Sequence, residues 1–404
     1  MTSGVSHPRG SVALLAHSGG PTPVINASLT GVVEEARRHR EIQHLWGAVH
    51  GLDGILRREF IDLFAQSKET LERIAAAPST ALGTSRRYVD EAGIEQVLDV
   101  FRECGIRTFF YTGGNGSMGT ARQIADAANA SGCDLQVIGI PKTIDNDIAE
   151  TDHTPGYATT ARFFACAVRD IGCDNRSLPG QVEIIEVLGR NAGWVTAATC
   201  LARNEPDDAP HLIYLPEVPL ALEKLLDDID RVHRRLNRCV VAVCEGQLDE
   251  HGEPFGADAR EGSRGKLAMN LGHRLAMLVS DRLGVRARSE KPGLLGRSAP
   301  AEPTSLDRTE SRLCGEAAVR AACEGASGVM VTLIREKGPA YAVSTGLTPL
   351  ERVAFVERLF PAEWRSPSGN DVLPQFRDYV LPLTGAIAPY ERLIPRRPAA
   401  GRDS

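Results

Sequence analysis

The chain reads LQVIGIPKTIDND from Leu135 to Asp147, an apolar run followed at once by a polar loop. The apolar part, Leu135 to Ile140, is short and contains β-branched residues, which is typical of a strand buried on both faces of a sheet. The loop after it carries one lysine and two aspartates, Lys142, Asp145 and Asp147. Ligands of parallel sheets bind beyond the carboxyl ends of the strands, so this loop is a candidate for chemistry.

Other short apolar runs predict further buried strands, and stretches with apolar residues at three- and four-residue steps predict helices between them. This alternation predicts an α/β fold with a mostly parallel sheet. The predicted strands are 11–17, 108–112, 135–140, 182–187, 211–215, 239–244 and 329–334. The predicted helices are 25–39, 118–131, 220–236, 266–283 and 311–324.

Glycine-rich loops follow two other predicted strands. Ser18-Gly19-Gly20 follows the first, and Gly113-Gly114-Asn115-Gly116-Ser117 follows the second. Backbone amides in such loops can point at an anion without interference from Cβ atoms, and a following helix adds positive potential. Ser117 is predicted to cap a helix that begins at Met118. Two such loops side by side indicate a polyphosphate ligand, whereas a single glycine pair after a strand is equally typical of a tight turn.

The loop after Ile140 has the side chains that phosphoryl transfer requires. A cation such as Lys142 offsets charge on a moving phosphoryl group, and a carboxylate such as Asp145 can take the proton of an attacking hydroxyl. The alternative for this loop alone is that Thr143, Asp145 and Asp147 only cap turns and helices. The residues of the loop by themselves leave both interpretations open.

Composition narrows the possible partners. The 404 residues are 42% hydrophobic and 24% charged, which is ordinary for a globular protein, and their number is typical of two or three domains. The net charge of -6, from 46 Lys and Arg against 52 Asp and Glu, gives no general attraction to nucleic acid or anionic membranes. The nine cysteines form no C-x-x-C pair, so they are expected to be reduced core thiols. With no signal peptide or membrane-spanning stretch, the protein is expected to be cytoplasmic.

Taken in their order along the chain, these motifs resemble those of the 6-phosphofructokinase family. The resemblance extends from about Val12 to Leu393 and includes SGG, GGNGS and PKTIDND, each after a strand. It continues through Glu186 to Trp194 and through Glu245-Gly246. It is closest to the branch that contains both pyrophosphate-dependent and ATP-dependent members. It implies two Rossmann-like three-layer α/β domains with mostly parallel sheets and the active site in the cleft between them.

The resemblance also implies how the chain is divided. Residues 1–147 and about 298–347 would form a phosphoryl-donor domain, and residues 148–297 a sugar-phosphate domain. Residues 348–393 would form a C-terminal extension that packs on the domains, and the tail 394–404 is expected to be disordered. One arginine of the sugar-phosphate site is expected to come from a neighbouring subunit, so a homodimer or homotetramer is implied.

Roles follow from the resemblance position by position. Asp145 is expected to be the general base for the C1 hydroxyl of fructose 6-phosphate, with Lys142 and Thr143 as further catalytic residues. Substrate binding is expected of Thr143, Asp145, Asp147, Leu188, Gly189, Arg190, Glu245, Arg288 and Arg297. Donor binding, with Mg2+ as cofactor and Asn115 as its ligand, is expected of Gly19, Arg86, Gly114, Asn115, Gly116 and Ser117.

Position 116 decides which phosphoryl donor is expected. Pyrophosphate-using members typically carry Asp there, where its carboxylate fills the space of the ATP α-phosphate and repels it; this chain has Gly116. Lys142 is typical of the pyrophosphate users but also occurs in ATP-using members. The expected activity is therefore an ATP-dependent 6-phosphofructokinase, which makes fructose 1,6-bisphosphate in glycolysis. A pyrophosphate-dependent enzyme stays open as the alternative.

Three positions depart from the family pattern. Asn115 stands in place of an Asp associated with Mg2+ and contributes no charge, which predicts weaker metal binding. Gln181 and Leu294 stand in place of side chains that bind the sugar phosphate. These changes leave open a catalytically weak regulatory subunit that binds the sugar phosphate, and sedoheptulose 7-phosphate stays open as another substrate.

Overall fold

Two β-sheets organise the structure, a computed structural model that describes residues 11–255, 270–298, 304–338 and 340–393. The described strands are β1 (Ser11–His17), β2 (Ile42–Ala48), β3 (Phe60–Asp62), β4 (Ile106–Gly113), β5 (Gln136–Pro141), β6 (Gln181–Val187), β7 (Leu212–Tyr214), β8 (Cys239–Cys244), β9 (Arg286–Glu290), β10 (Val329–Arg335) and β11 (Val343–Pro349). The larger sheet has the order β11-β10-β5-β4-β1-β2-β3, and the smaller sheet has the order β7-β8-β6-β9. All seven predicted strands are present.

The direction of the strands brings the three candidate loops together. β2, β1, β4, β5 and β10 run parallel, β3 and β11 are antiparallel edge strands, and the smaller sheet is entirely parallel. β1, β4 and β5 are neighbours whose last residues are in register, since His17 pairs with Thr112 and Gly113 pairs with Pro141. The loops that follow these three strands therefore begin at the same edge of the sheet.

Helices connect the strands and cover both faces of the sheets. The described helices are α1 (Ile25–Ala36), α2 (Leu52–Arg57), α3 (Lys68–Ala76), α4 (Glu91–Glu103), α5 (Asn115–Ala130), α6 (Tyr157–Ser177), α7 (Trp194–Ala198), α8 (Leu222–Leu236), α9 (Leu271–Leu283), α10 (Leu295–Ser298), α11 (Ser305–Cys323) and α12 (Pro374–Thr384). The five predicted helices correspond to α1, α5, α8, α9 and α11. Residues 266–269 of the predicted fourth helix lie outside the described residues.

Successive residues of a strand enter different apolar cores, as the two-residue period of a strand requires. In β1, Leu14 and Ala16 pack with α4 and α5 on one face, whereas Ala13 and Leu15 pack with α1 and α11 on the other. β6 is divided in the same way between two clusters of the smaller sheet. Both sheets are thus middle layers between helices, which confirms the predicted class of two Rossmann-like three-layer α/β domains.

The C-terminal part of the chain packs on both sheets. Leu350 and Val353 are buried in a core of the larger sheet, and Phe360 and Phe376 are buried in a core of the smaller one. Phe360 contacts Trp194 edge-to-face, with ring centroids 5.2 Å apart; such a pair contributes about 0.5 to 1.5 kcal/mol beyond its buried area. The exact domain boundaries stay a prediction, and the tail 394–404 lies outside the described residues.

The cysteines and the helices bear on two further expectations. All nine cysteines are free; four are buried, but Cys173 is exposed and so departs from the expected core position. Among the described residues, no helix is long and apolar enough to cross a membrane.

Candidate active site

A cleft of about 440 Å³ lies at the carboxyl ends of β1, β4 and β5 and faces the loops that follow β6 and β8. All of the predicted site residues except Arg288 line it. From the larger sheet these are Gly19, Arg86, Gly114, Asn115, Gly116, Ser117, Lys142, Thr143, Asp145 and Asp147. From the smaller sheet and the chain after it they are Leu188, Gly189, Arg190, Glu245 and Arg297.

A second loop, residues 83–86, holds the loop after β1. The Gly19 amide donates to the Ser85 carbonyl at 3.0 Å, and the Thr84 hydroxyl donates to the Gly19 carbonyl at 2.8 Å. The Gly19 amide is therefore already bonded within the protein, so any loop amide that points at an anion has to be another one. Glycine is required there for another reason. Its φ is +81°, and a Cβ would lie 3.2 Å from the Lys142 Nζ atom.

The Lys142 side chain links the loop after β5 to the loop after β1. Its ammonium donates to the Gly20 carbonyl at 2.7 Å, and its backbone amide donates to the Gly113 carbonyl at 3.0 Å. The guanidinium groups of Arg297 and Arg86 come within 3.0 and 3.6 Å of the position that a Cβ on Gly20 would take. Three cations thus surround one glycine loop, which is the charge that a polyphosphate ligand needs.

The charge on Lys142 is sensitive to pH. The pKa of its amino group is lowered to about 8, mainly by burial; the charges of Asp145 and Asp147 oppose this shift, and those of Arg297 and Arg86 add to it. A lysine in this state carries its positive charge below pH 8 and loses it above.

Asp145 has the acidity expected of a general base. Burial raises the pKa of its carboxyl group to about 7, with further contributions from the negative charges of Asp147 and Glu245. Arg190 and Lys142 act in the opposite direction. Because a base works best when its pKa is close to the operating pH, this carboxylate suits removal of a proton from a hydroxyl group.

The backbone conformation of Asn146 directs its two acidic neighbours into the cleft. Asn146 is fully buried with φ at +56°, in the left-handed region that Asn tolerates better than most residues. Its side chain accepts from the Thr154 amide at 3.0 Å and donates to the Tyr379 hydroxyl at 3.2 Å. Asn146 therefore anchors the loop inside the protein, while Asp145 and Asp147 on either side face the ligand space.

Asn115 and Asp147 form a pair whose free oxygen atoms fit Mg2+. The Asn115 amide donates to the Asp147 carboxylate at 2.9 Å and to the Asp147 backbone carbonyl at 3.0 Å. The remaining oxygen of each side chain, Oδ1 in both, is buried without a hydrogen-bond partner. Amide and carboxylate oxygens are the ligands that Mg2+ takes in proteins, so these two atoms would hold the ion.

The helix after β4 begins earlier than predicted. Gly114 is extended and occupies the N-cap position, and α5 starts at Asn115. The prediction that Ser117 caps a helix from Met118 is therefore wrong, because Ser117 already lies in the first turn. A Cβ on Gly113 would lie 2.1 Å from the Ser117 Oγ atom, so glycine is needed for this close approach. The positive N-terminal end of α5 still faces the cleft.

The sugar-phosphate side depends on another close approach between two loops. Glu245 follows β8, and its amide donates to the Val187 carbonyl at the end of β6 at 2.8 Å. A Cβ on Gly246 would lie 1.7 Å from the Arg190 carbonyl oxygen, so only glycine lets residues 188–190 approach. Burial raises the pKa of Glu245, and the charge of Glu186 adds to this effect.

The structure does not bring Arg288 into this cleft. Arg288 is exposed on the edge strand β9, where it pairs in register with Glu183. The expectation that one arginine serves a neighbouring subunit stays a prediction. Gln181 is buried at the start of β6, the end away from the cleft, and Leu294 is exposed. Neither takes part in the cleft described above.

Some residues that line the cleft were missed by reasoning from the sequence. Phe355 and Glu357 come from the C-terminal part of the chain, and Asn191 donates to both carboxylate oxygens of Glu357 at 3.1 Å. Phe355 packs on α5, since a Cβ on Gly119 would lie 2.2 Å from its ring. Asn191 belongs to a motif that could have identified it, but residues 355–357 carry no local pattern that indicates a site.

A cleft with converging cations, a buried carboxyl group of raised pKa and a pair of unpartnered oxygens suited to Mg2+ is typical of a phosphoryl-transfer enzyme. Residues 12–322 match the phosphofructokinase family, and the chain belongs to that family.

Relatives of this chain are named for different donors. The pyrophosphate–fructose 6-phosphate 1-phosphotransferase of Rhodospirillum rubrum is 38% identical over 385 residues, 93% of this chain and 95% of that protein. The crystal structure of the pyrophosphate-dependent phosphofructokinase of Marinobacter aquaeolei has a TM-score of 0.85 at 32% identity, covering 96% of this chain and 95% of that one. The ATP-dependent 6-phosphofructokinase of Corynebacterium efficiens is 30% identical over 79% of this chain and 89% of its own.

Proposed function

We propose that the protein is a pyrophosphate-dependent fructose 6-phosphate 1-phosphotransferase of the cytoplasm. This replaces the ATP-dependent activity expected from Gly116. The observation that carries the proposal is that the relatives matching almost the entire chain are named for pyrophosphate, including one at 38% identity over 93% of this chain. The ATP-dependent relative matches a smaller share, 79%.

The extent of these matches matters because the site includes the C-terminal part of the chain. A match over 93% of the 404 residues leaves so few residues unmatched that the matched region must extend beyond Phe355. It therefore includes the C-terminal segment that lines the cleft. The family match itself ends at residue 322. The pyrophosphate relatives are therefore similar in the part of the site that lies beyond the common family region.

Local charge supports the same donor. Pyrophosphate is small and highly charged and has no nucleoside part that could add binding energy. A site for it needs several cations close to one point, and Lys142, Arg86 and Arg297 surround the loop at Gly20 in this way. Mg2+ held by Asn115 and Asp147 would add charge compensation for the phosphate oxygens.

Asp145 is proposed to act on the sugar. Its carboxylate takes the proton of the C1 hydroxyl as the C1 oxygen forms a bond to the terminal phosphorus of the donor. The bond between that phosphorus and the bridging oxygen breaks, and inorganic phosphate leaves with the electron pair. The products are fructose 1,6-bisphosphate, phosphate and a proton. Lys142 stabilises the charge on the transferred group because its ammonium faces the donor loop.

Substrate binding is proposed for the opposite wall. Arg190 and Arg297 are suited to the 6-phosphate because guanidinium forks match phosphate oxygens, and Glu245 is suited to the sugar hydroxyls. The exposed position of Arg288 supports the proposal that it completes a neighbouring subunit's site in a homo-oligomer. The gathering of base, cations and metal oxygens in one cleft favours an enzyme over the alternative of a regulatory subunit.

Gly116 supports a second candidate, use of ATP as an additional donor. Apart from its chain neighbours and the backbone of its own helix, no heavy atom of the described residues lies within 4 Å of the position that a Cβ at Gly116 would take, so this side of the donor space is open. An assay with purified protein, fructose 6-phosphate and either pyrophosphate or ATP tests both proposals. Faster turnover with pyrophosphate is the expected result. Turnover with ATP alone would overturn the main proposal, and binding of fructose 6-phosphate without turnover would favour the regulatory subunit.

A further inference from the structure

The segment from Phe355 to Arg358 runs along the back of the loop that carries the proposed base. The Arg358 amide donates to the Asp147 carbonyl at 2.7 Å. Glu357 pairs with Ile148 in an isolated antiparallel bridge. The C-terminal part of the chain therefore adds a short strand-like edge to the catalytic loop, residues 143–152.

The Arg358 side chain binds the same loop through its backbone. Its Nε and Nη2 atoms donate to the Asn146 carbonyl at 3.2 and 2.9 Å. Its Nη1 atom donates to the carbonyls of Thr151 and Asp152 at 2.5 and 2.6 Å. One guanidinium thus joins Asn146, inside the loop, to the end of the loop at Thr151 and Asp152. Only arginine has a rigid fork with five N–H donors that can do this.

The same guanidinium also contacts the sugar-phosphate side of the cleft. It lies over the indole of Trp194, 4.5 Å from the ring centroid. The Trp194 Nε1 atom donates to the Arg358 carbonyl at 3.0 Å. Trp194 is the first residue of α7 and directly follows the loop that contains Leu188, Gly189 and Arg190. Arg358 therefore contacts the catalytic loop and the first residue of the helix that directly follows the sugar-binding loop.

We propose that Arg358 is a positioning residue that fixes the catalytic loop relative to the sugar-binding loop. The left-handed Asn146 places Asp145 and Asp147 in the cleft, and Arg358 bonds the carbonyl of that same residue. Without the guanidinium, the Asn146, Thr151 and Asp152 carbonyls lose their shared donor, and the loop is free to shift. A shift of about 1 Å at a reacting group is enough to lower turnover by roughly 100-fold.

The inference rests on the proposed reaction for its kinetic test only. In Arg358→Met, kcat should fall by about 10- to 100-fold with whichever donor the wild type uses. Fructose 6-phosphate affinity, measured by calorimetry, should stay within about threefold because Arg358 does not line the cleft. Arg358→Lys should retain an intermediate kcat, since an ammonium keeps the charge but lacks the fork that bonds the carbonyls of Asn146, Thr151 and Asp152 together. Millimolar guanidinium ion should partly restore Arg358→Ala but should not affect the wild type.

Arg377→Met is the matched control. Arg377 is also half-buried in the C-terminal part of the chain and donates from Nη1 to two backbone carbonyls, those of Cys200 and Arg203. It should keep its kcat even if its melting temperature falls as much as that of Arg358→Met. An equal loss of kcat in the two variants would mean that general packing is responsible and would overturn the inference.

Hydrogen exchange separates this inference from the proposed function. Amides of residues 143–152 should exchange faster in Arg358→Met than in the wild type or in Arg377→Met. If the wild type turns over neither donor, the proposed function fails, and the exchange still decides whether Arg358 orders the loop. Unchanged exchange in residues 143–152 would overturn the inference.

Discussion

The Lys142 ammonium lies 2.7 Å from the Gly20 carbonyl oxygen, so a side chain from the loop after β5 reaches the loop after β1. Since these strands are separated by β4, the contact spans the whole donor side of the cleft. Burial holds the pKa of this amino group at about 8.

Lys142 should therefore set the alkaline limit of activity. Its charge is present below about pH 8 and is lost as the pH rises through that value, so kcat/KM for the donor should fall on the alkaline side. Lys142→Arg should be less active at neutral pH but should lack this limb, because a guanidinium stays charged. A pH profile of kcat/KM from about pH 6 to about pH 10 measures both. If the alkaline fall in kcat/KM is unchanged in Lys142→Arg, a group other than Lys142 is responsible for it.

Asp145→Asn should lower kcat by a factor on the order of 10² to 10⁴, because an amide cannot take the proton of the C1 hydroxyl. The side chain keeps its size, so the dissociation constant of fructose 6-phosphate should change little. The expected result is a large loss of turnover with unchanged binding of fructose 6-phosphate, measured by calorimetry. Retained turnover would remove Asp145 from the role of base.

The strands next to this site could be predicted because burial on both faces requires continuous apolar sequence. β9 could not be predicted, because it has no continuous apolar sequence. It reads RARSE, and its exposed residues alternate with half-buried ones, as suits an edge strand. β11 is a second edge strand with few buried residues. α6 was missed because its buried face is built from small and polar residues such as Ala158, Thr159 and Thr160, which give little apolar periodicity.

The site shows the same division between local and distant signals. Lys142, Asp145 and Asp147 could be predicted because they follow a buried strand in sequence. Phe355 and Arg358 could not, because only tertiary contacts bring the C-terminal part of the chain to the catalytic loop. The donor is harder still to predict, because the glycine at position 116 carries no information about the cations that tertiary contacts bring to the loop at Gly20.

Asn115→Asp should strengthen Mg2+ binding. The Oδ1 atoms of Asn115 and Asp147 are buried without partners, and a second carboxylate would add charge to this pair of ligands. The Mg2+ concentration for half-maximal activity should fall by a factor on the order of ten. Without Mg2+ the variant should be less stable than the wild type, because the hydrogen bond from the Asn115 amide to the Asp147 carboxylate is replaced by repulsion between two carboxylates. Asn115→Ala is the control and should need more Mg2+ than the wild type; equal requirements in all three would exclude Asn115 as a ligand.

Gly116→Asp should selectively depress any activity with ATP. The site is open around position 116, so the new side chain fits without a clash and acts through its charge. Repulsion of the α-phosphate should lower kcat/KM for ATP by roughly 10- to 100-fold and leave that for pyrophosphate within a few-fold. Gly116→Asn has the same size without the charge and should lie close to the wild type. Parallel losses with both donors in Gly116→Asp would refute the electrostatic explanation.

The stability of the protein should depend on pH through His153, which is buried behind the catalytic loop. Its Nδ1 and Nε2 atoms lie 2.8 and 2.7 Å from carboxylate oxygens of Asp152 and Glu310. Burial alone would lower the pKa of His153, but the hydrogen bonds and charges of the two carboxylates outweigh it and raise the pKa above 6.5. The folded state therefore binds a proton that the unfolded chain releases above pH 6.5.

This contribution is complete below pH 6.5 and is lost as the pH rises through the raised pKa of the folded state. Across that window, one proton changes the free energy of unfolding by at most about 1.4 kcal/mol per pH unit. Thermal melting at several pH values should show the difference in melting temperature between wild type and His153→Gln shrinking as the pH rises, because glutamine does not titrate. A difference that stays constant from about pH 6 to about pH 9 would mean that His153 is not protonated in the folded protein.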